Sequence, residues 1–86
     1  MTTGFHTADI PHPSAREAVT RSMRQTEIVT LTPDTAAEAA EICRALKVAC
    51  EDSAAVHDSR GHVTEFWGTD EDGDEWRVHV VTIDES

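Results

Sequence analysis

The chain reads as an α+β domain: a short helix, a strand, a long amphipathic helix, then a three-stranded antiparallel β-meander packed on that helix. Three observations predict this. Apolar residues from Ala36 to Cys50 recur at helical spacing. The stretch Glu27-Ile28-Val29-Thr30-Leu31 is dense in β-branched residues, as strands are. Two Asp-x-x-Gly motifs, Asp58–Gly61 and Asp70–Gly73, lie twelve residues apart, the interval of successive hairpin turns. With 86 residues the chain makes one small domain. Its core is thin, because a chain of that size buries only about 60% of its unfolded surface.

Residues 1–13 contain Gly4, Pro11 and Pro13 without periodicity and are expected to form a flexible arm, leaving 14–86 as the domain. Ser14-Ala15-Arg16-Glu17 fits a capping box, with Ser14 as N-cap and Glu17 reaching back to its amide. Ala15, Ala18, Val19, Ser22 and Met23 share one stripe, so a short helix is expected over Ala15–Arg24. It needs a packing partner, since ten residues do not hold a helix in water.

After the strand at Glu27–Leu31, Thr32-Pro33-Asp34 has the chemistry of a helix start: a threonine cap, proline at N1 and an acid in the first turn. The buried stripe is expected at Ala36, Ala39, Ile42, Cys43, Leu46, Ala49 and Cys50, with Glu38, Glu41, Arg44, Lys47 and Glu51 in water. Strands are then expected near Ser53–His57, His62–Gly68 and Asp74–Ile83. The Glu27–Leu31 strand is free to join an edge of that sheet as a fourth.

Three-residue loops closed by a left-handed glycine would pair Asp58 with His62 and Asp70 with Asp74. One sheet face then carries Ala54, Val56, Thr64, Phe66, Trp76, Val78 and Val80, almost wholly apolar. The long helix would cover it. A one-residue slip would exchange the faces, so the cleaner separation favours this register. The second face carries His57, Val63, Glu65, Trp67, Arg77, His79 and Val81, with Glu65 opposite His79 and Trp67 opposite Arg77. Those pairs suit an ion pair and a cation–π contact.

Seventeen acids against seven bases give a net charge of −10. The excess is uneven: residues 48–86 hold eleven acids and two bases, a sum of −9, and five of those acids (Asp70, Glu71, Asp72, Asp74, Glu75) crowd one turn. Binding to a phosphate backbone needs lysine and arginine, so direct nucleic-acid binding is not expected. No apolar run reaches the roughly 18 residues of a membrane span, and no membrane partner is expected. Cys43 and Cys50, seven apart on one helix, stand about 10.5 Å apart by helical rise, beyond disulfide reach. They read as reduced core residues of a cytoplasmic protein.

The acidic turn fails as a calcium loop: with Gly73 at position 6, position 12 falls on His79 instead of a bidentate glutamate. His6, His12, His57, His62 and His79 lack the paired spacing of a zinc site. Neither metal nor cofactor is expected, and without a phosphate loop, nucleophile elbow or H-E-x-x-H motif no enzymatic activity is expected. The charge and the aromatic face imply a small acidic protein that binds a basic protein surface. An inhibitor or regulator of a nucleic-acid-handling machine, of the kind phages encode, fits that size and sign, with the acidic turn imitating phosphates. The arginine-rich, lysine-poor composition is that of a GC-rich source. The candidate contact residues are Asp70, Glu71, Asp72, Asp74 and Glu75 at the tip and Glu65, Trp67, Arg77 and His79 on the face. The competing expectation is a homodimer or assembly subunit with Trp67 in its seam.

Overall fold

The computed structural model describes residues 9–58 and 61–82. Two helices and four strands follow in the order α1 (Pro13–Gln25), β1 (Val29–Leu31), α2 (Ala36–Ala49), β2 (Asp52–Asp58), β3 (Gly61–Thr69) and β4 (Glu75–Val81). The sheet is four-stranded and mixed, in the order β1-β4-β3-β2. The expected three-stranded meander is therefore extended by β1, which pairs parallel to β4 with Val29 beside Val78 and Leu31 beside Val80.

The α1 start differs from the expected capping box. His12 is the N-cap, its Nδ1 accepting from the Ser14 amide at 3.2 Å, and Pro13 takes the first helical position. Proline suits that position because its missing N–H has no helical partner to lose. Packing also begins ahead of Ser14: Ile10, placed in the arm by the sequence, is a core residue. The first eight residues of that arm lie outside the described residues.

The α2 start moves by three residues. Thr35, not Thr32, caps the helix, its hydroxyl accepting from the Glu38 amide at 3.1 Å, while Glu38 Oε1 reaches back to the Asp34 amide at 3.3 Å. Thr35-x-x-Glu38 satisfies two orphan donors of the first turn, and Thr32 has no acid three residues on to do the same. The buried stripe is Ala39, Ile42, Ala45, Leu46 and Ala49, with Cys43 and Cys50 partly buried against it.

Both helices pack on the same side of the sheet. Ala15, Ala18 and Val19 from α1 join Ile42, Leu46 and Ala49 from α2 in one cluster with Val29, Phe66, Trp76, Val78 and Val80. α1 lies across β4 and β1, and α2 across β3 and β4. Among the described residues neither helix reaches β2 to any extent, and β2 rests on β3.

The β3–β4 register is the expected one: Glu65 opposes His79, Phe66 opposes Val78 and Trp67 opposes Arg77. The β2–β3 register is not. Asp58 pairs with Gly61 and Val56 with Val63, one residue away from the expected Asp58–His62 and Val56–Thr64 pairs. The slip turns Ala54 and Val56 to the helix-free face and puts Ser53 and Ala55 opposite Phe66 and Thr64. Its physical reason is that β2 lies beyond the helices, so little burial distinguishes its two faces. A valine row of Val56, Val63 and Val81 results on the helix-free side.

Candidate functional site

Alternation along the strands assembles the helix-free face as a grid. The Thr69–Glu75 pair lies nearest the β3–β4 turn, followed by the row of Asp52, Trp67 and Arg77 from β2, β3 and β4. The next row is Ala54, Glu65, His79 and Thr30, and the last is Val56, Val63 and Val81. One end of the face is thus charged and aromatic, and the other aliphatic. The expected His57–Val63–Val81 row is corrected by the β2 slip to one with Val56.

Glu65 is the hub of the charged end. Its Oε2 lies 2.9 Å from His79 Nε2 and 3.6 Å from Arg77 Nε. The Glu65 and His79 side chains are only 20% and 17% exposed, whereas Arg77 is 53% exposed. Arg77 therefore faces outward from a fixed base, with Glu65 as its charged contact among the described residues. Trp67 lies half-buried one row over.

The five acids of the tip sit on the turn joining β3 to β4. The Asp70 amide donates to the Asp74 carbonyl at 2.9 Å and the Gly73 amide to the Asp70 carbonyl at 2.9 Å, closing the expected three-residue loop. Gly73 has φ +88°, the left-handed conformation that a side chain would strain. Asp72, Asp74, Glu71 and Glu75 are exposed and Asp70 is partly buried. Among the described residues no group of three or more His, Cys, Asp or Glu side chains is placed to hold a metal ion.

Several residues near this end were not singled out by the sequence. Ser22 is 2% exposed, and its hydroxyl accepts from the Arg77 amide at 2.9 Å. The same oxygen lies 2.8 Å from the Glu27 carbonyl and 3.0 Å from the Arg77 carbonyl, either of which can take its proton. Because β1 begins only at Val29, opposite Val78, this hydroxyl replaces a strand partner at Arg77. A serine inside the apolar stripe of α1 was the available signal. Gly68 permits a close approach: a Cβ there would stand 3.1 Å from both the Glu51 amide nitrogen and Trp76 Cζ2. An open cleft of about 480 Å³ lies at this end of the sheet, with Ile28, Glu51, Glu75 and Trp76 in its walls. Thr69 Oγ1 donates to Glu51 Oε2 across it at 2.7 Å.

Both cysteines are free thiols. Burial pushes the Cys43 and Cys50 thiols up, with Lys47 offsetting part of the rise, so both stay protonated and weakly nucleophilic at neutral pH. Among the described residues no helix is long and apolar enough to cross a membrane. Comparison with protein-family models, with curated proteins and with solved structures finds no match to this chain.

Proposed function

We propose that this protein is a small acidic binding module without enzymatic activity, an inhibitor or regulator that occupies a basic surface of a nucleic-acid-handling protein. The acidic tip meets the basic surface, and the Asp52–Trp67–Arg77 row packs beside it. The observation that carries the reading is their adjacency: the five tip carboxylates lie next to the aromatic end of a sheet face that neither helix covers. Tryptophan and arginine are the residue types most often found at the energetic centre of protein interfaces. A projecting set of carboxylates offers a cationic groove the charge pattern it otherwise finds in phosphates. The two unpaired thiols suit the reducing cytoplasm, and the size and charge suit a phage-encoded regulator.

The test is affinity capture with the tagged protein, beside light scattering of the purified chain. Changing Asp70, Glu71, Asp72, Asp74 and Glu75 to their amides is expected to abolish capture of the partner without altering thermal unfolding. Capture is also expected to fail in about 1 M salt, where the screening length falls to about 3 Å. Undiminished capture by the amide variant overturns the reading. A salt-insensitive dimer that dissociates on Trp67→Ala replaces it with a self-assembling module.

A further inference from the structure

A second surface lies on the opposite side of β3 from the β4 strand, along the outer edge of β2, which pairs with no further strand among the described residues. β2 is the last strand of the sheet and spans seven residues, Asp52–Asp58, in unbroken register with β3. The direction of its backbone groups follows from its neighbours. The His62 carbonyl accepts from the Thr82 amide on the β4 side, so even-numbered residues of β3 address β4 and odd-numbered ones address β2. By the pairing of Asp52, Ala54 and Val56 with Trp67, Glu65 and Val63, those three β2 residues bond inward. The amides and carbonyls of Ser53, Ala55 and His57 point away from the sheet.

Natural edges are usually guarded by proline, lysine, a bulge or a covering element. The β2 sequence DSAAVHD contains no proline or lysine, its register is unbroken from Asp52 to Asp58, and neither helix packs on it to any extent; the one irregularity among the described residues is at its start, where the Glu51 amide also bonds to the Trp67 carbonyl at 2.8 Å. Its centre is small, Ser53-Ala54-Ala55-Val56, and both ends are acidic. A second copy is a poor occupant: antiparallel self-pairing about Ala55 sets Asp52 opposite Asp58 twice, between chains of charge −10 each. A strand with cationic ends is complementary.

We propose that the β2 edge takes up an extended basic segment of the partner protein as a fifth strand. Its two cationic residues stand six positions apart, about 20 Å at strand rise, opposite Asp52 and Asp58. Backbone bonds to the amides and carbonyls of Ala55 and His57 and to the Ser53 carbonyl hold the segment; the Ser53 amide already donates to Asp52 Oδ1 at 2.8 Å. Its two end cations fall on the helix-free face, and the one opposite Asp52 shares the row of Trp67. The basic character of the partner rests on the reading above; the open edge does not.

The probe is the synthetic peptide acetyl-Arg-Thr-Val-Thr-Val-Thr-Arg-amide, titrated into the full-length protein and followed by amide NMR and hydrogen exchange. Exchange at Ala55 and His57 is expected to slow, while Ala54 and Val56, already bonded to β3, stay as they were. Ala55→Pro removes only an outward N–H and is expected to weaken the peptide at least about ten-fold, the fold being checked by circular dichroism. Asp52→Asn, which keeps the oxygen that accepts from the Ser53 amide at 2.8 Å, guards against a folding defect. It and a glutamine-ended peptide are each expected to weaken binding roughly two- to five-fold. Equal binding by Ala55→Pro, or shifts confined to residues 70–75, overturns the edge proposal. The tip-amide variant separates the two surfaces. Peptide bound by that variant but not by Ala55→Pro establishes the edge, whereas the reverse pattern rejects it and leaves the acidic-tip reading standing.

Discussion

The two hairpins share β3 and carry the same Asp-x-x-Gly turn sequence, yet they pair differently. At β3–β4 the turn closes as three residues with Gly73 left-handed, and Asp70 bonds to Asp74. At β2–β3 the pairing moves in by one residue, Asp58 to Gly61. The turn motif alone does not choose. What separates them is burial: Phe66, Trp76, Val78 and Val80 are all 3% exposed or less, whereas Ala54 and Ala55 of β2 are exposed. A slip in the β3–β4 hairpin would turn Phe66 and its partners into water, while a slip in β2 exchanges alanines for alanines.

The sharpest break in this comparison is expected from paired substitutions. Phe66→Ala, in the covered hairpin, is expected to cost roughly 3–5 kcal/mol of unfolding free energy by urea titration. Ala55→Ser, in the uncovered strand, is expected to stay within about 0.5 kcal/mol. Similar losses at both sites would show that β2 is as firmly specified as β4.

Two further changes probe what fastens the covered hairpin. Gly68→Ala sets a methyl against the Glu51 backbone and the Trp76 ring, and about 1–3 kcal/mol is expected to be lost in the same titration. Ser22→Ala strands the partly buried Arg77 amide and is expected to cost about 1–2 kcal/mol. Amide exchange at Arg77 is expected to accelerate in that variant, which distinguishes a lost strand partner from a general loss of stability.

The smallest expected effect is a pH dependence. Burial raises both thiol pKa values in the folded chain, so the folded state holds its protons longer than the unfolded one. The thiols' contribution is full below about pH 8.5 and declines as pH rises beyond it. Replacing both cysteines by alanine is expected to remove that decline, measured by thermal unfolding between pH 7 and 10.

How much of this was legible in the sequence follows the same division. The stripe of α2 and the β3–β4 register could be read, because burial writes a periodic pattern into Ala39, Ile42 and Leu46 and into Phe66, Val78 and Val80. With that register came the Glu65–His79 contact. The place of Asp52 beside Trp67 was hidden by the β2 slip, which no apolar pattern in DSAAVHD opposes. The α2 cap was ambiguous because Thr32-Pro33 and Thr35-x-x-Glu38 both advertise a helix start within four residues. The Ser22–Arg77 link joins residues 55 apart and depends on where β1 begins, which local spacing does not encode.

Trp76 and Trp67 stand on opposite faces of adjoining strands, the first 3% exposed beneath the helices and the second half-buried on the helix-free side. The chain has no tyrosine, so its near-ultraviolet signal comes chiefly from these two indoles. One is a gauge of core integrity and the other of whatever settles beside it on the helix-free face. A collisional quencher added to the native protein will darken Trp67 first, and an occupant of that face will shelter it while leaving the emission of Trp76 in place.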